Sequence, residues 1–341
     1  GILLELGGGM DIADLLALSV SSGASDLHLS AGVAPMLRVD GEMQQCGLPV
    51  FGPDQVRGLI HSLMTDAQRS AFETGHEADF SCALAGLGRF RVNAFEQQRG
   101  AGAVLRSIAQ RVPSLESLGP GEVFRQLCRL PHGLILVTGA TGSGKSTTLA
   151  AMIDHLNRSR QQHILTIEDP IEFIHQPARC LINQREVHRD THSFSAALRS
   201  ALREDPDVIM LGEMRDLETI RLALTAAETG HLVLATLHTS SAARTIDRMV
   251  DVFPAEEKAM VRSMLSESLQ AVISQTLVKK VGGGRVAAHE IMLATPAIRN
   301  LIRENKVAQM VSAIQTGGAV GMQTLEMSLG RLSEARVIET L

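Results

Sequence analysis

Short apolar runs alternate with amphipathic stretches along the 341-residue chain, and the rhythm of that alternation changes near residue 110. From Asp11 the spacing of Ile12, Leu15 and Leu16 predicts a helix, which gives way at Gly23 to short strands over Asp26 to Leu29, Met36 to Val39 and Arg89 to Phe95. Arg38 to Glu42 reads as a hairpin closed by an Asp40-Gly41 turn. Gln55 to Met64 and Asp66 to Phe72 carry helical spacing, so residues 10–108 read as a small α+β domain. Pro113, Gly119 and Pro120 mark residues 109–121 as a linker. Gly1 to Gly9, ending in a glycine triplet, reads as a non-native leader before Met10.

Beyond the linker, over residues 122–341, strand and helix alternate: Leu134 to Val137, Thr147 to Leu156, His163 to Ile167, Phe194 to Leu202, Val208 to Leu211, Leu217 to Thr229 and Leu232 to Thr236. That alternation predicts an α/β fold around a mainly parallel, doubly wound sheet. The chain reaches Leu341 after a helical run, Leu325 to Leu332, without a clear closing cap, and the tail reads as truncated or degenerate.

The chemistry concentrates in this second half. The apolar run Leu134 to Val137 feeds through Thr138 into Gly139, Ala140, Thr141, Gly142, Ser143, Gly144, Lys145, Ser146 and Thr147, which contains the phosphate-cradling spacing G-x-x-x-x-G-K-[ST]. Glycines let successive backbone N–H groups turn inward around phosphates, Lys145 reaches the β and γ oxygens, and the Ser146 hydroxyl ligates Mg²⁺. The helix that follows aims its positive N-terminus at the same phosphates. ATP with Mg²⁺ is the predicted ligand.

Hydrolysis also needs a group to orient and deprotonate water. The apolar strand Val208 to Leu211 ends in Gly212 and Glu213, and Glu213 is the candidate base. A second acidic cluster, Glu168, Asp169 and Glu172, follows the strand Ile164 to Ile167, where ligands of open α/β sheets collect. These acids would hold Mg²⁺ through water or couple the site to a neighbouring subunit. His231 and His238 bracket an apolar strand; seven residues apart, they fall on opposite faces, which argues against a shared metal. Each reads either as a structural residue or as a sensor of the γ-phosphate. His188-Arg189-Asp190 matches the kinase catalytic-loop triplet, but its companion motifs are missing and a kinase is excluded.

Composition narrows the partners. A formal charge of −5 with well-mixed signs gives no basic stripe for a nucleic-acid backbone, and Trp and Tyr are absent. No apolar stretch approaches the ~20 residues of a membrane span, and no secretory leader is visible, which predicts a cytoplasmic protein. Cys46, Cys82, Cys128 and Cys180 lack C-x-x-C spacing and read as reduced thiols.

Taken together, GATGSGKST, ILTIEDPIEF, DVIMLGEMRD and TGHLVLATLHT resemble the secretion ATPase superfamily of type II secretion and type IV pili. ASDLHLS, RFRVNAF, REVHRD and AIRNLIRE (Ala297 to Glu304) resemble its pilus-retraction branch. The resemblance runs from about Met10 nearly to the C-terminus. It implies a homo-hexameric ring in which a PAS-like N-terminal domain and a RecA-like ATPase domain clamp ATP. Glu213 would then be the Walker B glutamate, Glu168, Asp169 and Glu172 an acidic box, and His231 and His238 a histidine box. Arg91 and Arg106 of the small domain and Arg203 as a cross-subunit finger are the arginines carried over to the nucleotide. The implied partners are an inner-membrane platform protein at the pilus base and an accessory retraction ATPase.

Thr295 and Pro296 are good helix-starting residues for the AIRNLIRE segment, where Ile298, Leu301 and Ile302 share a face and Arg299 and Arg303, four apart, are expected to stack. The resemblance implies a coupling or partner-docking role for it. Extension and secretion ATPases of the superfamily typically carry a longer N-terminal region and a tetracysteine zinc element, neither of which is seen here, so retraction is favoured over extension. The remaining alternatives are a non-hydrolysing accessory subunit, disfavoured by intact Lys145, Ser146 and Glu213, and a nucleic-acid motor, disfavoured by the acidic balance.

Overall fold

A computed structural model describes residues 9–108 and 111–340, which divide into compact units at Arg111 and Val112. The leader assignment falls, apart from Gly9, outside the described residues, as do Ala109 and Gln110 of the linker and the terminal Leu341.

In the first unit, alternation of apolar and polar residues builds an antiparallel sheet of six strands. These are β1 (Asp26–Ser30), β2 (Met36–Val39), β3 (Glu42–Gln45), β4 (Glu77–Leu84), β5 (Gly88–Gln97) and β6 (Gly100–Ile108), in spatial order β3-β2-β1-β6-β5-β4. Asp40 and Gly41 both adopt positive φ, 50° and 84°, which matches the right-handed twist of the β2–β3 hairpin they close. Phe90, Val92 and Ala94 of β5 face a core completed by helices Ile12–Ser21, Pro53–His61 and Asp66–Gly75, whose Leu16, Ile60 and Phe72 are fully buried. Arg89, Arg91 and Asn93 alternate with them onto the other, open face.

The second unit is built on β7 (Gly133–Thr138), β8 (His163–Glu168), β9 (Leu181–Glu186), β10 (Val208–Leu211), β11 (Leu232–Leu237), β12 (Leu269–Lys279) and β13 (Arg285–Leu293). Their spatial order is β13-β12-β7-β11-β10-β8-β9, all parallel except β13, which returns antiparallel beside β12. β7, β10 and β11 are buried along their whole length because helices cover both faces. Leu134 and Leu136 point to one core with Ile209, Leu211, Val233 and Ala235, whereas Ile135 and Val137 point to the other with Met210 and Leu234. The second core is closed by helices Gly121–Cys128 and Lys145–Ser159. Residues 112–118, read as linker from their turn formers, pack here too: Leu115 is buried against this core.

Every parallel strand runs the same way, so the ends of β7, β8, β10 and β11 collect at one edge of the sheet. All four cysteines are free thiols, three of them buried. Among the described residues no helix is long and apolar enough to cross a membrane.

Candidate nucleotide-binding site

The glycine-rich loop leaves the C-terminal end of β7 and enters the helix Lys145–Ser159. Gly139, Gly142 and Gly144 hold φ of 151°, 80° and 88°, a region that side chains disfavour. At Gly139 there is also no room: a Cβ would stand 2.5 Å from both the Gln275 carbonyl oxygen and Ser143 Oγ. The loop is therefore pressed against β12, and its outer side is left to the ligand.

Lys145 is buried, and its ammonium is satisfied inside the loop it belongs to. Nζ donates to the carbonyls of Gly139 at 2.6 Å and Ala140 at 3.2 Å and lies 2.9 Å from His238 Nδ1. Burial lowers its pKa, and Glu213 partly opposes that shift. Ser146, one residue on, is exposed on the first helical turn, the position from which a hydroxyl can ligate a cation.

Glu213 stands just past the end of β10. Oε1 accepts from His238 Nε2 at 2.6 Å, and Oε2 accepts from Arg215 Nη2 at 2.6 Å and Nε at 2.7 Å. Burial raises the Glu213 carboxyl, but the Arg215 guanidinium and His238 outweigh it and hold the group below its ordinary value. The backbone beside it is fixed as well: Thr236 Oγ1 donates to the Gly212 carbonyl at 2.5 Å, and Met214 N donates to the Thr236 carbonyl at 3.0 Å. Lys145, His238, Glu213 and Arg215 thus form one continuous polar chain across the ends of β7, β11 and β10.

The acidic cluster separates into distinct environments. Glu168 is buried at the end of β8, accepting from Thr166 Oγ1 at 2.7 Å and Gln184 Nε2 at 3.2 Å, and burial pushes its pKa up to about 7. Gln184 also donates to the Phe173 carbonyl, and Glu186 accepts from Ile171 N, so the loop after β8 is tied down along β9. Glu172 is half-buried, and its charge reaches Glu168. Asp169 is exposed, and its charge acts on Arg215.

The two histidines are separated by the length of the strand between them. His238 is in the polar chain described above, whereas His231 precedes β11 at the opposite edge of the sheet, about 20 Å away at the rise of an extended chain. Its Nδ1 lies 3.0 Å from the Ala226 carbonyl. Arg203 is exposed in the turn before β10, at that same far edge. Within this chain neither residue joins the loop. Arg91 and Arg106 stand directly opposite each other on β5 and β6, on the open face of the first unit. Both hold acids there: Arg91 pairs with Asp79 at 3.0 Å, and Arg106 pairs with buried Asp26 at 2.9 Å. Among the described residues no three or more His, Cys, Asp or Glu side chains form a metal-binding cluster.

The helix of the AIRNLIRE segment runs from Pro296 to Arg303, capped by Thr295, with Ile298 and Ile302 fully buried. Arg299 does not stack on Arg303. It reaches back to the end of the helix Lys258–Ser268, where Nη1 donates to the carbonyls of Ser266 at 2.7 Å and Glu267 at 3.0 Å.

Arg215 and Gln275 are among the polar partners of this site to which the sequence assigned no role. Arg215, two residues beyond Glu213, carried a local signal in its spacing. Gln275 carried none, since only the pairing of β12 with β7 brings it to the loop.

A glycine-rich loop leaving a central strand of a mainly parallel sheet, with a lysine and a carboxylate gathered at the same strand ends, defines the class: a P-loop nucleotide-binding domain. The family model described as type II/IV secretion system protein matches residues 11–283, and the chain belongs to that family. It is 70% identical over 320 residues to the type IV pilus retractation ATPase PilT of Pseudomonas aeruginosa, covering 94% of this chain and 93% of the relative. A twitching motility protein of Neisseria gonorrhoeae is 58% identical, over 94% of this chain and 86% of its own length. The crystal structure of a pilus retraction motor PilT with bound ADP superposes with a TM-score of 0.91 at 48% identity, covering 98% of this chain and 95% of the other.

Proposed function

We propose that this chain is the ATP-hydrolysing motor of type IV pilus retraction. The observation that carries the reading is the 70% identity, along nearly the whole of both chains, to a retraction ATPase. The geometry supplies the chemistry such a motor needs.

Backbone N–H groups of Gly139 to Thr147 receive the phosphates, and Lys145 exchanges the carbonyls of Gly139 and Ala140 for β and γ oxygens. That exchange frees His238 Nδ1, so His238 senses whether a γ-phosphate is present. Glu213 orients and deprotonates the attacking water once Arg215 yields one carboxylate oxygen. Mg²⁺, when bound, neutralises charge developing on the β and γ oxygens. The exposed Ser146 hydroxyl fits it as ligand, and Asp169 and Glu172, with Glu168 behind them, would hold its water shell.

The assembly in which this occurs is a homo-hexamer at the cytoplasmic side of the inner membrane, acting on a platform protein at the pilus base, with an accessory retraction ATPase as a further partner and no nucleic acid. In the ring, Arg91 and Arg106 would also reach nucleotide and Arg203 would act as a cross-subunit finger, a cation arriving only on closure so that hydrolysis is tied to motion, while His231 stays with the histidine box.

Steady-state ATP hydrolysis by the purified protein beside Glu213→Gln, with mass determination in the same buffer, tests the reading. Turnover from a hexamer that drops about 10²- to 10⁴-fold in the variant while ADP binding persists supports it. Equal, negligible turnover in both proteins favours a non-hydrolysing accessory subunit instead, and turnover by a monomer overturns the ring-motor reading.

A further inference from the structure

Gln275, on β12, is 2% exposed, and its side chain is spent entirely on the loop and the helix that follows it. Nε2 donates to the Ser143 carbonyl at 2.7 Å, and Oε1 accepts from Thr148 Oγ1 at 2.9 Å. The amide cannot be reversed, because a carbonyl only accepts and so must meet the NH₂ group. Gln275 thereby joins the middle of the glycine-rich loop to the second turn of the helix Lys145–Ser159.

The consequence lies in the peptide that Gln275 grips. A trans peptide is planar, so its C=O and the following N–H point in opposite directions. With the Ser143 carbonyl drawn toward β12, the Gly144 N–H is turned away from β12. Gly144 makes this grip possible: a Cβ there would stand 3.1 Å from Gln275 Nε2, and its φ of 88° suits only glycine. The other loop residue against this strand, Gly139, meets the Gln275 carbonyl oxygen in the same way.

We infer that Gln275 is a positioning residue of the nucleotide site, setting the direction of the Ser143–Gly144 peptide so that the Gly144 N–H faces the phosphates before nucleotide arrives. The inference rests on the nucleotide-site reading above and extends it to a strand outside the motif. Since β12 pairs along its length with β13, the loop's shape is set from the C-terminal part of the domain.

The test is the affinity of the full-length protein for a fluorescent ADP analogue with Mg²⁺, at pH 8 and pH 6, for wild type, Gln275→Glu, Gln275→Met and Lys145→Ala. A buried carboxylate at position 275 repels the Ser143 carbonyl, whereas the protonated acid donates to it as the amide does. Relative to wild type at the same pH, Gln275→Glu should therefore bind about tenfold more weakly at pH 8 and recover at pH 6. Gln275→Met has similar volume and no donor, and should lose about tenfold at both values. A merely structural glutamine would not produce the pH-selective rescue. The inference is overturned if either variant, folded by its thermal transition, binds like wild type at pH 8, or if the Gln275→Glu deficit is the same at both pH values. Failure of the underlying reading looks different: wild type would not bind, or Lys145→Ala would bind equally well.

Discussion

His238 stands between Lys145 and Glu213, its Nδ1 2.9 Å from the ammonium and its Nε2 2.6 Å from the carboxylate. An ammonium only donates, so Nδ1 is the accepting nitrogen and Nε2 carries the proton shared with Glu213. On the proposed binding of nucleotide, Lys145 would leave this partner for phosphate. His238→Ala should therefore lower kcat by about 10²-fold, the usual loss when one preorganised donor is removed, without weakening nucleotide affinity. A rise in the dissociation constant with kcat unchanged would contradict the arrangement.

Arg215 controls the same carboxylate from its other side. Burial raises the Glu213 carboxyl, and the Arg215 guanidinium together with His238 more than reverses it. A base works deprotonated, so activity is lost as pH falls through its pKa. Removing Arg215 raises that pKa, and the acid limb of the pH–rate profile of Arg215→Gln should move to higher pH. An unmoved limb would show that Glu213 is not the titrating base.

Glu168 makes stability pH-dependent in the opposite sense from a paired acid. Its pKa is about 7 in the fold against an ordinary 4.5, so the folded state holds a proton that the unfolded chain has released. No penalty exists below pH 4.5; stability falls as pH rises toward 7 and then levels off, by at most on the order of 3 kcal/mol. Glu168→Gln keeps an oxygen for Thr166 and Gln184 and removes the titration. Denaturant unfolding between pH 5 and 8 should show wild type losing stability that the variant retains.

Arg299 and Arg303 share a helix face in sequence and have different fates in the fold. Arg299 caps the carbonyls of Ser266 and Glu267, whereas Arg303 is exposed. Arg299→Ala should destabilise the second unit by about 1–3 kcal/mol through unsatisfied carbonyls, and Arg303→Ala by less than about 0.5 kcal/mol. If Arg303→Ala abolishes retraction in cells while melting like wild type, the exposed arginine is the part of the segment that meets a partner.

Local signals made most of this architecture legible. The run Leu134 to Val137 ahead of the glycines fixed β7, the loop and its helix, because apolar continuity and glycine spacing are properties of neighbours in sequence. The Asp40-Gly41 turn likewise announced its own hairpin. β6 (Gly100–Ile108) escaped because Gly100, Ala101, Gly102 and Ala103 carry little strand preference and are held by pairing with β1 and β5. β12 and β13 escaped for a related reason: β12 is buried for most of its length between two strands, so its pattern lacks clean alternation. Missing β12 meant missing Gln275. The histidines show the limit of motif reading, since His231 and His238 share one sequence box and lie at opposite edges of the sheet.

The place of β7 in its sheet also bears on how the protein comes into being. Gly133 pairs with Leu232 on one side and Leu134 with Leu269 on the other, so the strand that carries the loop is flanked by segments made much later. During synthesis the first unit, with its sheet closed by residue 108, is free to fold early. The run from Gly133 to Thr138 must wait with both edges unpaired, an apolar strand exposed to association until β11 and β12 arrive. The nascent chain thus holds its phosphate loop in shape only once β12 has been made, and a chain cut short before β12 would display the motif without the strand that shapes it.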